Sequence, residues 1–405
     1  MDKLPAFEVA RWADKYGQSA KYDLGGSCSP MLSMDDLIDL STDPSATEKA
    51  LSFRSLKLSY GSMLGSDTLR ENITTLYPKA LLTKDHILTT NGGIGANNVV
   101  LSSLLSAGDH VICVYPTFEQ LYQTPRAMGA DVTLWKLDVS TGRQLDLEFL
   151  RSSIKENTKM IILNNPNNPT GTYISSRMQG KIVEIAREHD IILMADEVFR
   201  PLFHLSPSDP EQEPVSFIEL SYEKTVVTGS MSKAYGLAGT RTGWIATKDP
   251  DFMARCIRVR DYTNISVSQI DEMIAAEALN ERCRIPIIAK NRKIAAKNLE
   301  LLGRFVQQNN KYVQWSKPSA STTTLLRFCR SDGEPADGLQ FCLQLQEKTG
   351  VSIAPASLCF GDGDRSDFKG YARVHFLVET EILQSVLAEL EAFLTIYLKD
   401  KTLSA

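Results

Sequence analysis

The sequence predicts an α/β fold, with a large domain built on a mostly parallel sheet flanked by helices and a smaller α+β domain. Two observations carry this prediction. Through the middle of the chain, short runs that are apolar on both faces alternate with helix-like segments, for example residues 96–106 and 177–189, which is typical of a parallel sheet covered on both sides. The runs are HVICVYP (110–116), KMIILNNP (159–166), IILMADEVF (191–199), TVVTGS (225–230) and GWIAT (243–247).

The second observation is a change of pattern after Ser266. Residues 267–310 are predicted to be continuously helical, and a few strands and helices follow before a final amphipathic helix over 379–399. Helices with few strands indicate a smaller α+β domain, and the first 45 residues do not fit the alternating pattern either. We therefore assign residues 46–280 to the large domain and residues 1–45 together with 281–405 to the small domain.

Composition excludes several classes of protein. The 405 residues carry 44 basic and 49 acidic side chains, a formal net charge of −5, which gives no field for holding nucleic acid or an anionic membrane. With 43% hydrophobic residues the chain is too apolar for disorder. No apolar stretch is long enough to span a membrane, and the N-terminus lacks the apolar region of a secretory signal.

Cysteine and histidine usage predicts no metal site and a reducing compartment. The seven cysteines are odd in number and form no CxxC pair, which argues against structural zinc and a disulfide framework. The fragment GDGDRSD (361–367) lacks the glycine and the final Glu of a calcium loop, and the five histidines are scattered. A cytoplasmic enzyme is the expectation.

Lys233 is the first candidate catalytic residue. It lies in TVVTGSMSKAYGLAGTRTGW (225–244), after an apolar run and before a stretch of small residues. A lone lysine is usually a solvated surface charge, but an amine held in a partly desolvated site can attack a carbonyl and form an imine. Ser230 and Arg241 could add a hydroxyl and a guanidinium, which together suit a phosphate.

Two polar side chains follow predicted strands. Asn168 lies in NNPNNPTG (164–171), and Asp196 ends an apolar run in MADEVF (194–199). A plain turn and a surface carboxylate are the ordinary interpretations. However, open α/β sheets place their ligand sites at the carboxyl ends of strands, and a buried carboxylate there could pair with a protonated ring nitrogen.

Two further segments suit a phosphorylated ring. NGGIGA (91–96) opens a predicted helix with glycines, so backbone N–H groups can approach an anion with the help of the helix dipole. Phe118 in YPTFEQ (115–120) could stack on a planar ring, although taken alone its ordinary interpretation is a core residue.

These motifs, taken together and in their order along the chain, resemble those of the pyridoxal-phosphate enzymes of fold type I, in the class I/II aminotransferase family. The resemblance covers roughly residues 50–380 and adds a matching YGSMLGSDTLR (60–70) and YARVHF (371–376). It implies an enzyme that acts on an α-amino acid through an external aldimine and loss of the Cα proton. Pyridoxal 5'-phosphate is the implied cofactor, and a small amino-acid-type molecule is the implied substrate.

The resemblance also implies roles for single residues. Lys233 would form the Schiff base with the cofactor and act as the catalytic base. Residues at the family's cofactor-binding positions would hold the phosphate and the ring of the cofactor. Arg373 would bind the substrate α-carboxylate. The implied cofactor-binding set is Ser230, Ser232, Arg241, Gly93 and Ile94 for the phosphate, Phe118 for the ring face, Asn168 for the hydroxyl and Asp196 for the nitrogen.

Tyr60 and Phe199 complete the cofactor-binding set. The family's matching tyrosine reaches the phosphate of the neighbouring subunit, so Tyr60 implies a homodimer. Position 199 usually carries a tyrosine that donates to the cofactor's ring oxygen, and here it is a phenylalanine. Loss of this donor is expected to raise the pKa of the lysine–cofactor imine.

The N-terminal segment leaves the reaction open between alternatives. LPAFEVARWADKYGQSAKYDLGGSCSPMLSMDDL (4–37) is similar to enzymes of the capreomycidine-synthase type and to fungal C–S lyases of gliotoxin-type pathways. This finer resemblance implies specialised metabolism, with Gly25, Gly26, Ser27 and Cys28 near the substrate. An aminotransferase is the main expectation, and a C–S lyase acting by β-elimination or a cyclase are the alternatives.

Overall fold

A seven-stranded sheet forms the centre of the protein, in a computed structural model that describes residues 4–139, 145–205, 213–363 and 367–397. The neighbours across this sheet are β2-β8-β7-β6-β5-β3-β4. All pairs are parallel except those of β8, which runs opposite to β2 and β7. The strands are β1 (Tyr22–Asp23), β2 (Ile87–Asn91), β3 (His110–Tyr115), β4 (Asp131–Lys136), β5 (Thr158–Asn164), β6 (Ile192–Asp196), β7 (Thr225–Ser230), β8 (Thr242–Thr247), β9 (Val313–Trp315), β10 (Thr323–Phe328), β11 (Val351–Ser352), β12 (Ala354–Pro355) and β13 (Tyr371–His375).

Helices cover both faces of this sheet, as expected for a parallel sheet with buried strands. The middle strands β3, β5, β6 and β7 are buried along almost their whole length, and apolar clusters lie on either side of them. The helices are α1 (Glu8–Trp12), α2 (Met34–Leu40), α3 (Pro44–Ala50), α4 (Asp67–Thr74), α5 (Gly92–Leu104), α6 (Gln120–Ala127), α7 (Leu147–Ser153), α8 (Ser176–Glu188), α9 (Pro250–Thr263), α10 (Gln269–Leu279), α11 (Glu281–Gln308), α12 (Gly338–Thr349), α13 (Ala356–Cys359) and α14 (Thr380–Tyr397).

The predicted continuous helix over 267–310 is two helices. α10 ends at Leu279 and α11 begins at Glu281, because Asn280 between them has an extended backbone and its side chain accepts a hydrogen bond from Arg282 N. A capping side chain in an extended conformation starts a new helix rather than continuing the old one. The prediction of helix in this segment is therefore confirmed, and the prediction that the helix is continuous through Asn280 is wrong.

A four-stranded antiparallel sheet, β12-β13-β10-β9, carries the C-terminal part of the chain. The two residues of β1 pair in parallel with β11, so the N-terminal segment packs with C-terminal residues. The division into residues 46–280 and the two flanking segments stays a prediction. Residues 364–366 of GDGDRSD and residues 398–399 of the predicted last helix lie outside the described residues.

Two findings bear on the expectations about partners. Among the described helices, none combines the length and the apolar composition that a membrane crossing needs. Every cysteine of the chain lies in the described ranges and is free of a disulfide, with only Cys28 more than marginally accessible.

Candidate active site

One cavity of about 360 Å³ brings together nearly all the predicted site residues. Tyr60 is the exception, because it does not line this cavity and is 81% exposed. The predicted residues that line the cavity are Gly25, Gly26, Ser27, Cys28, Gly93, Ile94, Phe118, Asn168, Asp196, Phe199, Ser230, Ser232, Lys233, Arg241 and Arg373.

Strand direction explains why residues so distant in sequence meet here. β3, β5, β6 and β7 are parallel, so their carboxyl ends lie at the same edge of the sheet. Asn164 at the end of β5 lies opposite Asp196 at the end of β6. Ser230 ends β7, and Lys233 follows three residues later. The edge therefore presents a polar group from each of β5, β6 and β7 to the same space.

The start of α5 forms a cradle for an anion. No side chain caps this 13-residue helix, so its first N–H groups remain available. A Cβ on Gly92 would lie 2.5 Å from Arg241 Nη2, and one on Gly243 would lie 2.4 Å from the carbonyl carbon of Gly92. Only glycine at these positions permits such a close approach of backbone and guanidinium.

Hydroxyl groups and a guanidinium complete the cradle. Ser230 Oγ donates to Ser232 Oγ at 3.0 Å, and Arg241 Nη1 lies 3.4 Å from Ser232 Oγ. Arg241 itself has a left-handed backbone with φ of 45°, which is uncommon for a residue with a side chain. Helix N–H groups, two hydroxyls and a guanidinium are a donor set that fits a phosphate.

Asp196 is a buried carboxylate with defined partners. Asn97 Nδ2 donates to Oδ2 at 2.8 Å, and Val198 N donates to Oδ1 at 3.2 Å. Burial raises the pKa of Asp196, while the hydrogen bond from Asn97 and the charge of Lys233 act in the opposite direction. A cation beside Asp196 would offset the cost of burying its charge.

Arg373 contacts Asn168 in the same cavity. Its Nη1 donates to Asn168 Oδ1 at 3.0 Å, and its Nη2 donates to the Gly25 carbonyl. Arg373 Nε is buried and has no partner among the described residues. Burial lowers the pKa of Arg373 to about 10, so the guanidinium remains charged at neutral pH. It is a cation that a carboxylate would stabilise.

Lys233 Nζ points to the loop that follows β1. It donates to Ser27 Oγ at 2.8 Å and lies 3.6 Å from Cys28 Sγ. The backbone ties the two segments together, since Ser29 N donates to the Lys233 carbonyl at 3.0 Å. The amine is therefore held over the cavity from the side of the N-terminal segment.

The N-terminal helix closes another side of the cavity. Phe7 packs edge-on against Phe118 with ring centroids 5.0 Å apart. Val9, Ala10 and Ala13 also line the cavity. These four lining side chains are all apolar, so they shield this side of the cavity from water.

Several lining residues were missed by the sequence reasoning. Asn97 lies between one and two turns into α5, and only the packing of α5 against β7 and β8 brings it to Asp196. Asn164 belongs to the quoted NNPNNPTG run, and its Oδ1 accepts from Asn168 N at 2.8 Å. The residues of α1 gave no local signal, because an apolar helix face is the pattern of any packed helix.

These residues fit pyridoxal phosphate as a group. The phosphate suits the α5 cradle, and the protonated ring nitrogen suits the buried carboxylate of Asp196. Lys233 Nζ faces the same cavity and supplies the amine. No described group of three or more histidine, cysteine or acidic side chains could hold a metal ion.

Comparisons with known proteins agree with this geometry. The chain is 26% identical to capreomycidine synthase of Streptomyces vinaceus over 367 residues, which are 89% of this chain and 88% of that protein. It is 26% identical to the S-alkyl-thiohydroximate lyase of Arabidopsis thaliana over 326 residues, 78% of this chain and 68% of that protein.

The fold and the sequence lead to one family. A PLP-dependent aminotransferase from Streptococcus suis superposes with a TM-score of 0.86 at 34% identity, covering 97% of this chain and 98% of that one. Residues 35–385 match the family described as aminotransferase class I and II. Since that match spans both the sheet edge and the Arg373 strand, the chain belongs to the class I and II aminotransferases and is a PLP-dependent, aminotransferase-like enzyme of fold type I.

Proposed function

We propose that this chain holds pyridoxal phosphate through Lys233 and acts at the α-carbon of an amino acid, as an aminotransferase. One observation carries the proposal. An amine, a buried carboxylate and a buried guanidinium, from Lys233, Asp196 and Arg373, line a single cavity beside a phosphate cradle. These are the groups that amino-acid chemistry on this cofactor needs from a protein.

Each group has a distinct task. When bound, the cofactor supplies an aldehyde for the substrate amine and a ring that accepts the electron pair left at Cα. Asp196 would keep a proton on the ring nitrogen, because its buried carboxylate is stabilised by an adjacent cation. Arg373 would bind the substrate α-carboxylate with its paired N–H groups. Lys233 Nζ would take the proton from Cα and return it.

A C–S lyase is the second candidate. Phe199 is 2% exposed and lines the cavity without a hydroxyl group, so the usual hydrogen-bond donor to the ring oxygen is absent at that position. The Arabidopsis relative, a lyase by name, aligns with 78% of this chain. Transamination and elimination share the step in which Lys233 removes the Cα proton, and they part only at the leaving group on Cβ.

Product analysis separates the candidates. The reconstituted enzyme is mixed with single amino acids and with cysteine S-conjugates. A keto acid with matching conversion of the cofactor to its amine form supports an aminotransferase. Release of thiol supports a lyase, and a cyclic amino acid with neither supports the cyclase alternative. If no amino acid gives any product or exchanges its Cα proton, the proposed function is wrong.

We further propose a homodimer in which Tyr60 reaches the neighbouring site. Tyr60 is 81% exposed in the single chain, and Leu58, Met63 and Tyr262 are exposed as well. Gln269 Nε2 binds the carbonyls of Ser59 and Tyr60, so this surface is ordered without a partner. An ordered apolar surface of this kind favours association with a second copy.

Hybrid dimers test this arrangement. Lys233→Ala and Tyr60→Ala chains are each expected to be inactive, and a mixture unfolded and refolded together is expected to regain activity. Half of the dimers are then hybrids with one intact site each, so we expect about one quarter of the wild-type activity. No recovery, with dimers formed, would show that Tyr60 serves its own chain.

Cytoplasmic localisation and specialised metabolism are also proposals. Seven cysteines free of disulfides support a reducing compartment. The alignment with capreomycidine synthase over 89% of the chain supports the specialised role suggested by the N-terminal segment.

A further inference from the structure

The loop after β1 contacts both Lys233, which would act on the substrate Cα, and Arg373, which would bind the substrate carboxylate. At one end of it, Arg373 Nη2 donates to the Gly25 carbonyl. At the other end, Lys233 Nζ donates to Ser27 Oγ at 2.8 Å. The Ser27 hydroxyl therefore lies where the amine of Lys233 and the substrate would meet.

The backbone holds Ser27 in place independently of its hydroxyl. Thr322 Oγ1 donates to the Ser27 carbonyl at 2.8 Å, and Leu24 N donates to the Ser352 carbonyl at 2.8 Å. Ser29 N binds the carbonyl of Lys233 itself. Because these bonds use main-chain atoms of the loop, truncating the Ser27 side chain leaves the loop anchored.

Few other groups contact the amine. Cys28 Sγ is 3.6 Å away, and sulfur is a weak acceptor. Phe199 lines the same cavity with a ring that has no hydroxyl. Among the described side chains, Ser27 thus gives the only oxygen that accepts a hydrogen bond from Lys233 Nζ.

We propose that Ser27 is a positioning residue for Lys233, which holds the amine whenever Nζ is not bonded to the cofactor. A neutral amine that donates an N–H to Ser27 Oγ keeps its lone pair free to take the proton from Cα. After that transfer, the ammonium donates more strongly to the same oxygen. Ser27 itself neither gains nor loses a proton, and the proton from Cα stays on Nζ until it is delivered. This inference rests on the proposed function.

Two variants of the reconstituted enzyme test the role. Ser27→Ala removes the acceptor, and Ser27→Thr keeps a hydroxyl at the same position. We expect Ser27→Ala to exchange the Cα proton of a substrate amino acid in D₂O about 10- to 100-fold more slowly, with a fall in kcat and little change in KM. Ser27→Thr is expected to restore most of the rate.

A second readout needs no turnover. The rate at which the cofactor-free chain forms its imine with added pyridoxal phosphate depends on how Nζ is oriented toward the aldehyde carbon. Without the Ser27 acceptor the amine is no longer held in one orientation, so imine formation at a fixed pH is expected to be about 3- to 10-fold slower. Wild type and Ser27→Thr are expected to share one rate.

The outcomes distinguish a failure of the Ser27 inference from a failure of the proposed function. If wild type forms no imine or exchanges no Cα proton, the proposed function fails. If wild type does both, and Ser27→Ala matches it in the rate of proton exchange and in the rate of imine formation, Ser27 has no positioning role. If Ser27→Ala and Ser27→Thr lose activity alike, the side chain acts through packing, and the inference is equally overturned.

Discussion

Asn97 Nδ2 donates a 2.8 Å hydrogen bond to Asp196 Oδ2, and Thr228 Oγ1 donates to Asn97 Oδ1 at 2.7 Å. The second bond fixes the orientation of the amide, so that its nitrogen rather than its oxygen faces the carboxylate. Burial raises the pKa of Asp196, and this hydrogen bond opposes the rise and favours the charged carboxylate. The donor comes from α5, the helix whose first turn forms the phosphate cradle. One helix supports both ends of the proposed cofactor.

We expect Asn97→Ala to weaken cofactor binding. Loss of the hydrogen bond raises the pKa of Asp196 further above its ordinary value, since burial is then less opposed. A hydrogen bond to a charged group contributes about 1.5–3 kcal/mol, so the dissociation constant for pyridoxal phosphate is expected to rise by about 10- to 100-fold. Absorbance titration measures it. The exposed neighbour Asn98→Ala is the control, and equal constants for both variants would contradict the account.

Gly243→Ala is expected to deform the phosphate cradle. The added Cβ would lie 2.4 Å from the Gly92 carbonyl carbon and 2.7 Å from Gly93 N, both of which are backbone atoms. Overpacking of this kind costs about 1–3 kcal/mol, and we expect a lower melting temperature together with weaker phosphate binding. Gly239→Ala, whose Cβ meets nothing within 4 Å, is the matched control. If Gly243→Ala and Gly239→Ala have equal melting temperatures, the cradle accommodates the added Cβ without loss of stability, which would contradict this prediction.

Phe199→Tyr is expected to change the titration of the lysine–cofactor imine. Phe199 is buried in the cavity wall, and a hydroxyl there would donate to the cofactor's ring oxygen. This donor stabilises the deprotonated imine, so the absorbance change is expected to occur at lower pH, by about one unit. A spectral pH titration of both holoenzymes measures this. A midpoint that stays the same or moves upward would mean that the hydroxyl does not reach the oxygen.

The packing of α1 is expected to depend on pH through Glu119. Burial raises the pKa of Glu119 to about 7, the Glu8 and Asp362 carboxylates act in the same direction, and the backbone N–H of Glu8 opposes them. The folded chain therefore binds a proton that the unfolded chain releases near pH 4.5. Stability is expected to fall as the pH rises from about 4.5 to 7 and to level off above this.

Denaturant unfolding at a series of pH values, followed by far-UV circular dichroism, measures this stability. Glu119→Gln is expected to flatten the fall in stability between pH 5 and 7. Glu8→Gln, which removes one neighbouring charge, is expected to move the fall to lower pH. The role of Glu119 is refuted if its glutamine variant keeps the slope of the wild type.

The sequence predicted those site residues that lie near the carboxyl ends of apolar strands. Asp196 ends β6, and Asn168 and Lys233 lie four and three residues after β5 and β7. Parallel strands bring their carboxyl ends together, so local patterns were sufficient to predict that these residues lie close to one another. Asn97 and the apolar residues of α1 reach the cavity only through helix packing, which leaves no mark in the local sequence. Tyr60 needs a second copy of the chain before its place can be tested.

The strands of the central sheet were also predicted only where the local sequence has a continuous apolar run. β3, β5, β6 and β7 were predicted because they are apolar on both faces. β4 at the sheet edge is partly exposed, and β2 carries two buried threonines and ends in an exposed asparagine, so neither has the continuous apolar run of a central strand. Both strands were missed for that reason, although their neighbours in the sheet were found.

The central claim is a covalent bond between Lys233 Nζ and the aldehyde carbon of pyridoxal phosphate. Borohydride reduction of the reconstituted protein, followed by peptide mass spectrometry, tests it most directly. We predict one modified peptide, containing Lys233, and a yellow protein whose colour is absent from Lys233→Ala. A cofactor adduct on another lysine, or an equal adduct in Lys233→Ala, would contradict the account.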